Sequence, residues 1–352
     1  MSRAPATPLL EVLDLAVDFD RRDSTPLRAV EGVTFRLYPG QTLAIVGESG
    51  SGKSVTGLSL LGLQSPGRIA RGRALWRESS SHDAEDLLSL RGDAIRAYRG
   101  GKIAMIFQEP MTSLNPVMRV GDQIAEAVRL HTDVSARDAR SRAVDALAAV
   151  AIDEPHRRAR EYPHQFSGGM RQRVMIAMAI ACRPRVLIAD EPTTALDATT
   201  QAQVLTLIDR LRREQRVAVI LITHSLGLVA GHADVAAVMH SGRILEFAPA
   251  NTILARPLHP YTVALLRCIP TIRGPIRQRL TTVRDLVRSV EPLSPGLAGH
   301  RPWWPNEFHE ADRTRATVLI EPEEHHWVRV WADSKAPRGD WAIPGVQTTR
   351  IP

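Results

Sequence analysis

Along the chain, Val33, Phe35 and Leu37 alternate with Thr34, Arg36 and Tyr38, the period of two expected of a half-buried strand. Pro39-Gly40 supplies the turn that ends it, and Thr42 to Val46 follows as a short apolar run. Such a run fits a strand covered on both faces in a parallel sheet. Lys102–Phe107, Val186–Ala189 and Val217–Ile222 repeat that pattern, separated by helical or loop sequence, which predicts a doubly wound α/β sheet. Between Pro116 and Tyr162 the period changes. Ile124, Val128, Val144, Leu147 and Val150 recur at helical spacing, and Ser135 with Asp138 reads as a capping box, so a mainly helical insert is expected. After Pro257 the patterning weakens, prolines recur, and five of the six tryptophans fall between Trp303 and Trp341, which predicts a separate C-terminal extension. No internal repeat is visible, so one copy of the α/β unit is expected.

A length of 352 residues suits one substantial domain with smaller additions. The chain is 44% hydrophobic, 5% aromatic and 24% charged, an ordinary globular composition that argues against disordered and membrane classes. The longest apolar runs, Val174–Cys182 and Val217–Thr223, are far shorter than the roughly 20 residues that span a bilayer. Met1 to Leu10 has no continuous apolar stretch of the secretory kind, so a cytoplasmic location is expected. Cys182 and Cys268 are the only cysteines, too few for a disulfide framework or a thiolate metal site. The net charge of +7 and the pI near 10.0 permit contact with nucleic acid or an anionic lipid surface. No basic block interleaved with aromatics occurs before the tail, which favours a solvated arginine-rich surface.

The chemistry is concentrated in a few segments. Gly47-Glu48-Ser49-Gly50-Ser51-Gly52-Lys53-Ser54 directly follows a buried strand and precedes a helical stretch, the context a P-loop requires. Its glycines let backbone N–H groups and a helix N-terminus point at phosphates. Lys53 is placed for the β and γ oxygens and Ser54 for Mg²⁺. A glycine-rich turn is the plain alternative, but the pattern arises by chance in only roughly one chain of this length in a hundred. Val186 to Ala189 runs into Asp190 and Glu191, where the carboxyl end of a strand opens onto the ligand crevice of an α/β sheet. Asp190 can hold Mg²⁺ through water, and Glu191 can orient or deprotonate an attacking water. Alone, two acids after a strand are more often a loop start or a helix cap; the upstream P-loop makes that reading the lesser one.

Phe166-Ser167-Gly168-Gly169-Met170-Arg171-Gln172-Arg173 resembles the signature segment of ABC transporter ATPases, shortly before Asp190 as in that family. Ser167 would cap a long helix, Gly168 to Ala181, whose positive end can face the γ-phosphate of ATP held by a partner. By itself Ser-Gly-Gly is merely a helix start; the specificity lies in the ordered set. Gln108 after Phe107 resembles the Q-loop, Ala195-Leu196-Asp197 the D-loop, and Thr223-His224 the switch histidine. The resemblance implies that Gln108 senses Mg²⁺ and the membrane subunit, Asp197 communicates across a dimer, and His224 contacts the γ-phosphate. It implies the fold of an ABC nucleotide-binding domain: a P-loop NTPase core with an antiparallel β subdomain and a helical subdomain. Residues 1–256 would form that domain, with the helical part at about 116–165, and 257–352 the extension. An aromatic residue normally stacks on adenine upstream of the P-loop in this family. Phe19 is the best-placed candidate, and with Asp20 to Thr25 so polar it reads equally well as the last inward residue of its strand.

Phe107-Gln108-Glu109-Pro110-Met111-Thr112-Ser113-Leu114-Asn115-Pro116, Tyr162 to Phe166, Asp190 to Asp197 and His259-Pro260-Tyr261-Thr262 resemble the oligopeptide and dipeptide importer branch, over roughly Leu9 to Pro270. The resemblance implies coupling of ATP hydrolysis to uptake across the plasma membrane, from its cytoplasmic face. Implied partners are two transmembrane permease subunits, a second, paralogous ATPase and an extracytoplasmic solute-binding protein, with no nucleic acid. Nickel and other solute importers share much of this pattern. A soluble ABC ATPase acting on nucleic acid or ribosomes is the rival class; such proteins generally carry tandem cassettes or long coiled-coil insertions, and neither is visible. Lys53, Glu191 and His224 argue against a non-catalytic regulatory cassette. The chain departs from the branch in two places. Relatives commonly carry a cysteine-rich iron–sulfur region, whereas Pro295 to Phe308 contains no cysteine, so no cluster is expected. His300, His309, His325 and His326 could in principle hold a transition metal, although histidine pairs in polar tails are usually solvated. The tail's tryptophans could instead dock a partner, or the extension packs on its own domain. Ser225 stands where relatives often have an acid after the switch histidine.

Overall fold

The computed structural model describes residues 7–21, 24–78, 84–108, 113–194, 196–269, 302–303 and 317–331. The chain opens with strands β1 (Leu10–Arg21), β2 (Ser24–Leu37) and β3 (Thr42–Val46), then helix α1 (Lys53–Leu60). Strands β4 (Arg68–Trp76), β5 (Glu85–Asp86) and β6 (Ile103–Ile106) lead to helices α2 (Val120–His131), α3 (Ala136–Ala149) and α4 (Gly168–Ile180). Strand β7 (Val186–Asp190), helix α5 (Ala198–Gln215) and strands β8 (Ala218–Thr223), β9 (Val235–His240) and β10 (Arg243–Pro249) complete the α/β part. Helices α6 (Ala250–Ala255) and α7 (Pro260–Arg267) and the hairpin β11 (Thr317–Glu323) and β12 (His326–Trp331) follow.

Two sheets result, one antiparallel in the order β2-β1-β4-β5 and one eight-stranded in the order β11-β12-β10-β9-β3-β8-β7-β6. The five strands from β9 to β6 run parallel; β10, β12 and β11 add antiparallel to that edge. The central strands are apolar throughout because both faces are covered. Alternate residues of β7 and β8 serve different cores: Leu187, Ala189, Val219 and Leu221 pack with the helices, and Val186, Ile188, Ile220 and Ile222 with the antiparallel sheet. With a side-chain period of two, neither face can take a polar residue without burying it. The buried residues Val33, Phe35 and Leu37 alternate with half-buried neighbours as expected.

The helical insert is present as α2 and α3 with shorter turns after them. Ile124, Val128, Leu147 and Val150 are fully buried, but Val144 is only half-buried, and the inner face of α3 is carried by Ala139, Ala143 and Ala146. Alanine allows helices to approach closely, a signal that a hydrophobic-periodicity reading underweights. Ser135 caps α3 by accepting the Asp138 amide at 3.1 Å. The Asp138 carboxylate, however, takes the Ser135 hydroxyl rather than closing a capping box on the amide.

Within the region expected as an extension, β12 pairs with β10 through Glu246↔Val328 and Phe247↔Trp327, so the hairpin continues the main sheet. Trp303 and Trp331 meet edge to face, their centroids 6.3 Å apart, in a core shared with Val46, Val238 and Tyr261. Trp304, Trp341, His300 and His309 lie outside the described residues, as does nearly all of Pro295 to Phe308. His326 is not solvated as its polar surroundings in sequence suggest. It is fully buried and its Nε2 lies 2.6 Å from Glu246 Oε1. Among the described residues no group of three or more His, Cys, Asp or Glu could hold a metal, and no helix is long and apolar enough to cross a membrane.

Candidate active site

The P-loop leaves the carboxyl end of β3 and enters α1 at Lys53. Its curl depends on glycine at two places. Gly52 has φ +98°, and a Cβ there would lie 2.5 Å from the Ala29 carbonyl oxygen; at Gly47 a Cβ would lie 2.0 Å from the Met239 carbonyl oxygen. Any side chain would therefore drive the loop off β9 and β2. Ser51 is buried, its amide donating to Glu48 O at 3.2 Å and its carbonyl accepting Gly242 N at 3.0 Å. Ser49 and Gly50 are exposed. Lys53 Nζ lies inside the curl, donating to Gly47 O and Glu48 O, both at 2.8 Å. Burial lowers its pKa, opposed by the charges of Glu191, Asp190 and Glu48.

Strand β7 delivers the two acids beside it. Ser54 Oγ donates to Asp190 Oδ1 at 2.9 Å. Burial and the neighbouring Glu191 charge raise the Asp190 pKa, against the Ser54 hydrogen bond and Lys53. This half-buried hydroxyl–carboxylate pair is a hard oxygen set of the kind Mg²⁺ prefers, and beside it the loop carries a buried lysine on backbone that only glycine permits at Gly47 and Gly52, so the residues fit Mg²⁺ and a nucleotide. Glu191 adopts φ +46°, an uncommon conformation for a residue with a Cβ. Three groups meet on its Oε2: Thr194 Oγ1 at 2.8 Å, His224 Nδ1 at 3.3 Å and Gln108 Nε2 at 3.4 Å. Gln108 comes from the end of β6, Glu191 from β7 and His224 from β8, adjacent strands whose carboxyl ends form one crevice. Sequence reasoning missed Thr194; its signal was a hydroxyl three residues after a strand-end acid.

Ser167 accepts the Met170 amide at 3.3 Å and starts α4. A Cβ on Gly168 would meet no atom within 4 Å, whereas one on Gly169 would lie 2.9 Å from Thr200 Cγ2. The described bonds of this segment do not reach its own P-loop. Asp197 caps α5 through Thr200 N at 2.9 Å and Thr200 Oγ1 at 2.6 Å, which lowers its pKa; Ala195 lies outside the described residues. Phe19 is half-buried in β1, in the core of the antiparallel sheet, with its ring against Gly67. Ser225 N donates to Thr223 Oγ1 at 3.2 Å, beside the histidine and without a bond to Glu191.

A buried lysine in a P-loop, a serine–aspartate pair and a strand-end glutamate held by three donors define the site of a P-loop nucleoside triphosphatase. Sequence comparison narrows this. The ABC transporter family matches residues 30–194, and the oligopeptide/dipeptide transporter C-terminal region matches residues 245–297. Oligopeptide transport ATP-binding protein OppD of Salmonella typhimurium is 48% identical over 278 residues, 79% of this chain and 81% of that protein. Oligopeptide transport ATP-binding protein AppD of Bacillus subtilis is 44% identical over 328 residues, 90% of this chain and 98% of that protein. Among solved structures, the dimeric ATP-binding cassette MJ0796 in a post-hydrolysis state with ADP and Pi superposes with a TM-score of 0.59 at 25% identity, covering 68% of this chain and 98% of that one. The chain belongs to the ABC transporter ATPases, in the oligopeptide/dipeptide transporter branch.

Proposed function

We propose that this chain is the ATP-hydrolysing subunit of an importer that carries oligopeptides or dipeptides across the plasma membrane, working from its cytoplasmic face. The observation that carries the reading is the convergence of Gln108, Thr194 and His224 on one oxygen of Glu191, beside Lys53 and the Ser54–Asp190 pair. Lys53 binds the β and γ oxygens, and the loop amides hold the phosphates in place. Mg²⁺, when bound at Ser54 and Asp190 with Gln108 nearby, neutralises charge on those oxygens. With Oε2 occupied by its three donors, Glu191 presents Oε1 to a water and takes its proton. His224 orients Glu191 and contacts the γ-phosphate. Phe19 is the candidate for stacking on adenine.

Ser167, Gly168 and Gly169 act on ATP held by a second, paralogous cassette, and Asp197, at the N-terminus of α5, relays between the two. The open space around Gly168 supports this: among the described residues, a Cβ there would meet no atom within 4 Å. ATP binding closes the dimer and hydrolysis reopens it. The movement reaches two transmembrane permease subunits through a cleft of about 610 Å³ between the sheet and the helical insert, lined by Leu63, Phe107, Met175 and Met178 among others. Phe107 is 42% exposed there, an apolar anchor beside Gln108. A solute-binding protein outside the membrane delivers the cargo, and nucleic acid has no role. The test is uptake of a labelled oligopeptide by cells lacking this chain. Wild type should restore it and Lys53→Ala should not; restoration by both, or by neither while a nickel tracer is taken up, would refute the reading.

A further inference from the structure

Helix α7 brings a residue of the C-terminal region to the P-loop. Its Tyr261 is fully buried, and its hydroxyl oxygen accepts the Glu48 amide at 3.1 Å, across 213 residues of sequence. Glu48 O is in turn the acceptor for Lys53 Nζ. The backbone of this one residue is thus gripped on its N–H side by the tyrosine and on its C=O side by the phosphate-binding lysine. The ring cannot swing away. It packs against His240 with centroids 4.7 Å apart, and burial keeps its hydroxyl protonated at every physiological pH.

The helix bearing Tyr261 is fixed just as firmly. His259 caps it, Nδ1 accepting the Tyr261 amide at 3.1 Å, while Nε2 donates to Trp303 O at 2.8 Å. The buried Glu246 carboxylate accepts the amides of Leu258 at 2.7 Å and His259 at 3.1 Å, and His326 of β12 bonds the same carboxylate. Trp303 N donates to Arg329 O, also on β12, at 2.9 Å. A loop whose amides must be pre-aimed at phosphates gains from an anchor that does not itself move when ligand arrives.

We infer that Tyr261 is a positioning residue of the P-loop, and that through it the C-terminal region sets the affinity of the site for ATP. The inference rests on the nucleotide-binding reading above. Tyr261→Phe keeps the ring and deletes the hydroxyl that accepts the Glu48 amide. Losing one neutral hydrogen bond to a partly buried amide corresponds to a rise of roughly three- to tenfold in the dissociation constant. Glu48→Pro deletes the donor instead, since proline has no N–H, so Tyr261→Phe should have no further effect in that background.

The experiment is titration of the full chain with a fluorescent ATP analogue, alongside its thermal midpoint, for wild type, Tyr261→Phe, Glu48→Pro and the double variant. The expected result is at least threefold weaker binding by Tyr261→Phe, a midpoint within about 2 °C of wild type, and a double variant no weaker than Glu48→Pro alone. A change below threefold overturns the inference. So does an equal additional loss in the Glu48→Pro background, or weakening matched by a collapse of the thermal midpoint, which would make Tyr261 merely structural. Failure of the wild type itself to bind would instead refute the nucleotide-binding reading.

Discussion

Replacing Glu191 by glutamine should separate binding from hydrolysis in this site. All three described donors to Glu191 fall on Oε2: Thr194 Oγ1, His224 Nδ1 and Gln108 Nε2. In Glu191→Gln the amide oxygen takes over that position, because it is the only acceptor left. The NH₂ group then stands where Oε1 was, and the water meets a donor that cannot take its proton. Neither Lys53 nor the Ser54–Asp190 pair is displaced. Positioned general bases contribute roughly 10²- to 10⁴-fold, about 2.7 to 5.5 kcal/mol of barrier. Phosphate release by the assembled complex should therefore fall at least a hundredfold, while the dissociation constant for ATP stays within about threefold. Gel filtration should show a dimer that persists in ATP. Turnover within tenfold of wild type would refute the assignment of Glu191 as the base.

Lys53→Ala leaves Gly47 O and Glu48 O without their ammonium; nucleotide binding should weaken by more than about a hundredfold, read by equilibrium titration. Thr194→Ala removes the shortest of the three bonds to Glu191; kcat should drop about three- to tenfold with ATP affinity unchanged, and a loss confined to affinity would count against it. Burial holds the His259 pKa down at about 4, below the 6.5 of an exposed histidine. The unfolded chain binds that proton first, so stability is full above about pH 6.5 and falls as pH drops towards 4, by about 3 kcal/mol. In His259→Asn, denaturant titrations across that window should show a flatter dependence, with a lower plateau at neutral pH. An unchanged slope would contradict the neutral, buried state of the ring.

The parts of the fold legible in sequence are those whose signal is local. The P-loop, Asp190–Glu191 and Ser167–Gly169 are contiguous runs whose residue types follow from phosphate and metal chemistry, and the buried strands are apolar because two cores flank them. Other features depend on residues far apart. Strand β1 carries register shifts against both neighbours, so its apolar alternation slips. The α3 face is alanine-rich and barely registers as periodic. Glu246 and His326 are 80 residues apart and individually look like surface groups. Their burial arises only when β12 pairs with β10, which no short window of sequence contains. Tyr261 was legible as part of a branch-specific tetrapeptide, and its partner Glu48 as part of the P-loop, but not their contact.

The central claim is that this ATPase drives a membrane permease together with a second cassette. Affinity purification of the tagged chain from gently solubilised native membranes, with mass spectrometry of what remains bound, tests it most directly. Two multi-spanning membrane proteins and a second, paralogous cassette are the predicted companions. Recovery of ribosomal or DNA-repair components, with no permease, would contradict the account.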